Sequence, residues 1–148
     1  MNETIVTKPN ELEIRVEREF DAPRPHVFAV WTDPALIPEW WGGETVVEEM
    51  DVRPGGKWRF DTGHGVVEGE FREVDPPARL VQTFQNHVQI LEFEELGDRT
   101  KLTQTMRFAT IEERDTTMQY GVEEGAKGGF LRVDALLQKL SGAAESGS

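Results

Sequence analysis

Apolar and polar positions alternate along Glu11–Phe20, ELEIRVEREF. Leu12, Ile14, Val16 and Phe20 fall on one face. Glu11, Glu13, Arg15, Glu17 and Glu19 fall on the other, the period of a half-buried strand. Asp21 follows, with Pro23 and Pro25 in the next turn, and predicts the cap and first turn of a short helix carrying Val27, Val30 and Trp31 on one side. Asp33-Pro34 repeats the start signal. A second short helix is expected over about Pro34–Trp40, ending before Gly42-Gly43. From Glu44 to Phe108 the period is mostly two. Candidate strands are Thr45–Val52, Lys57–Thr62, Val66–Val74, Leu80–Gln85, Val88–Leu96 and Lys101–Phe108. Pro54-Gly55-Gly56, Gly63-His64-Gly65, Asp75-Pro76-Pro77, Gln85-Asn86-His87 and Gly97-Asp98 separate them as turns. Such short links predict an antiparallel meander, and with the first strand a sheet of six or seven strands.

The period then changes to helical, and one long helix is expected over about Glu112–Leu140. Residues 1–10 read as a flexible extension and 141–148, SGAAESGS, as a disordered tail, leaving one domain over 11–140. An antiparallel sheet needs one face covered. Only the last helix, about 40 Å long by its rise, has the length to do so. The expected class is therefore α+β, a curved sheet gripping one long helix, with the two short helices closing an end. A straight rod does not fill a wide trough everywhere, so a cavity between sheet and helix is part of the expectation.

Within that helix lies GVEEGAKGGF, residues 121–130, with four glycines. Each costs about 1 kcal/mol of helix propensity against alanine. On a helical wheel Val122, Ala126, Phe130, Val133, Leu137 and Leu140 form the apolar arc, and Glu123, Lys127 and Asp134 the solvent side. Gly121, Gly125, Gly128 and Gly129 share a sector beside the apolar arc with Met118. A phosphate cradle does not fit, because Lys127 is followed by Gly128 rather than Ser or Thr and two glutamates stand nearby. A hinge has no need of a shared phase. A flank without side chains instead admits a bulky group, either a tryptophan or a ligand. Both remain open, at different turns.

Aromatic residues extend this picture. Trp31, Trp40 and Trp41 cluster on the short helices, and Trp58 and Phe60 share a strand face. They form either a plug or the walls of a pocket. Phe71, Phe84, Met106, Phe108 and Met118 are candidates for the same interior, with Gly121 and Gly125 on the helix flank. Gln82 and Gln104 occur on interior faces too, where an amide needs a partner and could orient a polar ligand group. His26, His64 and His87 sit at a helix start and in turns and read as exposed. Glu68, Glu70, Arg72, Glu92 and Glu94 are the carboxylates and arginine that a general acid or base would have to come from, if their faces were internal.

Composition narrows the function classes. The 148 residues suit one domain. There is no cysteine, and serine occurs only at Ser141, Ser146 and Ser148, so a thiol or serine nucleophile is not expected. No Gly-x-Ser-x-Gly, Gly-x-Gly-x-x-Gly or His-x-x-x-His pattern occurs. No catalytic residue, cofactor or metal is expected. Acidic residues number 28 against 16 basic, a net charge of -12. This favours solubility and disfavours nucleic acid and anionic membranes as partners. The absence of a signal-like or membrane-length apolar run leads to an expected cytoplasmic location.

FDAPRPHVFAVWTDPALIPEWWGG, DVRPGGKWRF, GEFREVDPPARLVQTF, FEELGDRTKLTQTMRF and EERDTTMQYGVEEGAKGGFLRVDALLQKL together resemble the family named for activators of the heat-shock protein 90 ATPase. The resemblance spans about Glu11 to Leu140. It implies membership of the wider START-like, polyketide-cyclase and pollen-allergen superfamily, and a helix-grip fold. In the eukaryotic co-chaperone such a domain follows a separate chaperone-binding domain, which is not expected in this chain. The resemblance implies an apolar or amphipathic small molecule as ligand and a possible homodimer. Its alternatives are a co-chaperone-like activator of a heat-shock protein 90 type ATPase, and a cyclase or hydrolase acting on a hydrophobic substrate.

Overall fold

The computed structural model describes residues 3–42, 44–85 and 87–146, with side chains through residue 140. The chain runs β1 (Ile5–Asn10), β2 (Glu13–Phe20), α1 (Arg24–Thr32), α2 (Ile37–Trp41) and β3 (Val46–Met50). It continues through β4 (Lys57–Asp61), β5 (Val66–Asp75), β6 (Arg79–Phe84), β7 (His87–Leu96) and β8 (Arg99–Phe108), then α3 (Ile111–Gln119) and α4 (Val122–Ser146). All strands join one antiparallel sheet in the order β1-β2-β8-β7-β6-β5-β4-β3. The meander from β3 to β8 is the one the turn signals imply, and β2 returns to pair with β8. The expected α+β helix-grip architecture is the one observed.

The strand alternation decides which face is dry. Ile14, Val16 and Phe20 of β2, Leu102, Met106 and Phe108 of β8, Leu91 and Phe93 of β7 and Trp58 and Phe60 of β4 are buried on one side. Phe130, Val133, Leu136 and Leu137 of α4 meet them there. Phe130 stands edge-on to Phe20 at 5.5 Å. Trp31 of α1 contacts Phe20, Phe93 and Phe130, so α1 closes one end of this core.

Several expectations change. Residues 5–10 are not an extension outside the fold but strand β1, with Val6 opposite Val16 and Thr7 opposite Arg15. Most of its side chains are exposed, so no alternation marks it in the sequence. The long helix is two helices. Gly121, at φ +83°, sits in the left-handed conformation that ends α3, and Tyr120 donates its N–H back to Thr116 O at 3.1 Å. At the other end of α3, Thr110 caps the helix by accepting from Glu113 N at 3.1 Å. α4 runs on to Ser146 through most of the tail expected to be disordered, whose last two residues lie outside the described residues. Asp21 does not cap α1, whose N-cap is Pro23. Asp21 instead accepts from Arg99 Nε at 2.9 Å.

Asp134 is also not a solvent residue. It receives both terminal nitrogens of Arg18, at 2.7 and 2.5 Å. Arg18 points inward from β2 with its side chain only 4% exposed and lies over the Phe20 ring. This bidentate pair ties α4 to the sheet, and it suits a guanidinium that would otherwise be buried without a countercharge.

Candidate functional site

Between the sheet and α4 lies a partly enclosed cavity of about 460 Å³. Its aromatic wall is built from the short helices and the β4–β6 half of the sheet. Trp31, Trp40 and Trp41 come from α1 and α2, Trp58 and Phe60 from β4, and Phe71 and Phe84 from β5 and β6. Two of the four indole nitrogens that would spoil such a wall are occupied elsewhere. Trp40 Nε1 donates to Val30 O at 3.0 Å and Trp58 Nε1 to Thr83 O at 3.2 Å. Their ring faces are left to the cavity. Trp41 stacks on Phe84 at 5.8 Å and meets Phe60 edge-on at 5.2 Å. Arg132 of α4 donates from Nε to Trp40 O at 2.7 Å, which pins α2 against α4.

The glycine flank divides as the wheel left open. At Gly129, which also borders the cavity, an added Cβ would stand 3.9 Å from Arg132 Nη2 and 4.0 Å from Trp40 Cζ3, so an indole and a guanidinium both lie against that turn. At Gly125, one turn earlier, an added Cβ would meet nothing within 4 Å, and this residue borders the cavity. At Gly128 the Cβ position meets Arg132 Nη1 alone, at 3.8 Å. Thus one glycine accommodates an indole and another leaves space.

Of the residues singled out from the sequence, Trp31, Trp40, Trp41, Trp58, Phe60, Phe71, Phe84, Met106 and Gly125 border the cavity. Phe108 does not. It is 1% exposed and packs beneath the floor, its ring 4.8 Å from that of His87. Met118 packs at the margin of the core from the end of α3. Gly121 is the helix break and points at nothing. None of Glu68, Glu70, Arg72, Glu92 and Glu94 reaches the cavity; all five are exposed. Glu68 and Glu92 pair with Arg59 and Arg79 on the outer face.

Two residues matter that the alternation concealed. Gly69 in β5 is required by Trp58. A Cβ there would overlap the Thr83 carbonyl oxygen and stand 2.7 Å from Trp58 Nε1, so glycine lets that indole lie against the sheet. The interior face of β5, with Val67 and Phe71 flanking a glycine, is the available signal. His87 is not the exposed turn residue its sequence neighbours imply. It begins β7, faces inward between Phe84 and Phe108, and borders the cavity. Burial pushes its pKa down to about 4, so the ring is neutral at pH 7.

His87 also belongs to a line of polar groups. Gln82 Nε2 donates to Gln89 Oε1 at 2.9 Å, and Gln89 Nε2 lies 3.2 Å from His87 Nε2. An amide nitrogen only donates, so His87 Nε2 is the acceptor. Gln104 of β8 borders the same space, and Thr117 of α3 adds a hydroxyl. Among the described residues no His, Asp and Glu side chains gather in a group of three that could hold a metal ion. No helix there is long and apolar enough to cross a membrane.

A curved antiparallel sheet around a C-terminal helix, with a ligand-sized aromatic cavity between them, defines a helix-grip protein. The chain belongs to the family described as activator of Hsp90 ATPase homolog 1-like protein, whose model matches residues 21–138. Among solved structures it is similar to protein Ms6760 from Mycobacterium smegmatis, at 23% identity and a TM-score of 0.83, over 93% of this chain and 99% of that one. It is also similar to PFC0360w, an HSP90 activator from Plasmodium falciparum, at 20% identity and a TM-score of 0.59, over 72% and 87% of the two chains. At these identities the likeness is one of fold. A curated relative, the uncharacterized protein C1711.08 of Schizosaccharomyces pombe, is 33% identical over 76 residues. That match takes in 51% of this chain and 21% of the relative's length.

Proposed function

We propose that the protein binds an apolar or amphipathic small molecule in the cavity between sheet and α4, without performing chemistry on it. The observation that carries this reading is the cavity itself. At about 460 Å³ it falls in the size range of small-molecule sites, roughly 300–1,000 Å³. Its wall is largely aromatic, and on the helix side Gly125, between Val122, Ala126 and Phe130, adds no side chain of its own. The tryptophans on the wall provide the assay. Titration with the neutral dye N-phenyl-1-naphthylamine should quench tryptophan emission saturably and raise the melting temperature. A linear, unsaturable response with no thermal shift would remove the proposal.

A second reading, activation of a heat-shock protein 90 type ATPase, is supported by the family description and by the fold shared with the Plasmodium falciparum activator. It requires the purified chain to raise ATP turnover by such a chaperone; unchanged turnover sinks it. A cyclase or hydrolase reading has less support. Among the described residues no carboxylate borders the cavity, and the titratable side chain that does, His87, is neutral at pH 7.

A further inference from the structure

The geometry points to selection by this cavity for a neutral ligand whose hydroxyl or carbonyl group is hydrogen-bonded by the amides of its floor. The inference rests on the ligand-binding reading above and adds the chemical class.

Three observations carry it. First, among the described residues no Asp, Glu, Lys or Arg side chain lines the wall, although 44 of the chain's 148 residues are of these types (28 acidic plus 16 basic). A ligand charge taken inside would find no countercharge, which is far more costly than burying a neutral polar group that is hydrogen-bonded. Second, polar groups are nevertheless concentrated on the three central strands, where the inward alternation is otherwise apolar. Gln82 of β6 is opposite Gln89 of β7. Gln89 is in turn opposite Met106 of β8, so Gln104, two residues before Met106, lies diagonally beside it. Third, the hydrogen bonding of this cluster is incomplete. Gln82, Gln89 and His87 bond one another. The Gln104 amide has no hydrogen-bond partner among the described residues, yet it borders the cavity. An amide carries two donors and an acceptor. Within an apolar setting such a group is retained where something else completes it. A ligand hydroxyl or carbonyl does so without bringing charge inside.

A matched series separates this inference from the reading beneath it. Naphthalene, 2-naphthol and 2-naphthoate share one apolar body and differ in a single group. Each is competed at neutral pH against N-phenyl-1-naphthylamine on the intact chain. The expected order is 2-naphthol tightest, naphthalene about tenfold weaker for want of the hydrogen bond, and 2-naphthoate at least about tenfold weaker than 2-naphthol. Gln104→Met, close in shape but without the amide, should bring 2-naphthol down to the level of naphthalene. Naphthalene, which makes no use of the amide, should bind the variant at least as tightly as the parent, and thermal melting reports that the variant folds. If Gln104→Met does not fold, Gln82→Met supplies the same comparison at the neighbouring amide. Equal affinity for 2-naphthoate and 2-naphthol, or a 2-naphthol advantage that survives in the variant, would overturn the inference and leave ligand binding standing. Failure of every compound, the dye included, would overturn both.

Discussion

Gly125 and Gly129 are one helical turn apart on the same flank of α4, and the structure predicts opposite outcomes when each becomes leucine. At Gly125 an added Cβ has no atom within 4 Å and the residue borders the cavity. Leucine there gains about 1 kcal/mol of helix propensity over glycine. Gly125 is exposed at the cavity's opening, so the leucine side chain is only partly covered by the wall and gains about 1 kcal/mol more from burial. A net stabilisation of about 2 kcal/mol corresponds to a melting temperature about 4–8 °C higher in a chain of this size. The same isobutyl group occupies ligand space, so affinity for N-phenyl-1-naphthylamine should fall more than tenfold, about 1.4 kcal/mol. Gly129 is buried, and its Cβ position already has Arg132 Nη2 at 3.9 Å and Trp40 Cζ3 at 4.0 Å, so the remaining carbons of leucine must displace the guanidinium or the indole. Overpacking of this kind costs about 1–3 kcal/mol, which offsets the propensity gain and leaves the variant less stable. The assays are thermal melting and dye titration on both variants in parallel. A Gly125→Leu protein that melts lower than the parent, or that binds the dye unchanged, would refute the placement of open space at that turn.

Burial holds the His87 ring neutral down to about pH 4, whereas the unfolded chain protonates near 6.5. The folded pKa is depressed, so between these values the unfolded state binds more protons and stability falls as pH falls. The loss between pH 7 and 4.5 is about 2.5 kcal/mol. His87→Gln should flatten urea-unfolding stability over that window relative to the parent, and parallel curves would contradict the assignment. Asp134→Ala strands the buried Arg18 without its bidentate partner and should cost about 3 kcal/mol in chemical denaturation. A cost under about 0.5 kcal/mol would mean that the pair is no more than a surface contact. Gly69→Ala forces a methyl group into the Thr83 carbonyl and the Trp58 indole, and should destabilise the domain by about 1–3 kcal/mol with a shift in tryptophan emission. Unchanged emission and stability together would show that Trp58 does not need the gap.

Alternation reports which way a side chain points, not how far away the opposite layer stands. For this reason β4, β5, β6 and β8 were legible from single residues: Trp58, Phe71, Leu80 and Met106 all point where their period puts them. β1 was illegible because a mostly exposed edge strand leaves almost no apolar imprint. β7 was ambiguous because both faces carry polar residues. Glu92 and Glu94 lie outside, whereas the inward row of Leu91 and Phe93 continues into Gln89 and His87. The glycines show the same limit from the helix side. Gly121, Gly125 and Gly129 share a phase, yet one ends α3, one meets nothing within 4 Å, and one, although it borders the cavity too, lies against Trp40 and Arg132. What separates the last two is the arrival of α2. Its Trp40 is tied to Val30 and, through Arg132, to α4. The aromatic wall was therefore foreseeable residue by residue, but the cavity is a property of spacing between layers. The floor amides depend on that spacing too: in a filled interior Gln104 would need a partner from the protein, whereas here it borders open space.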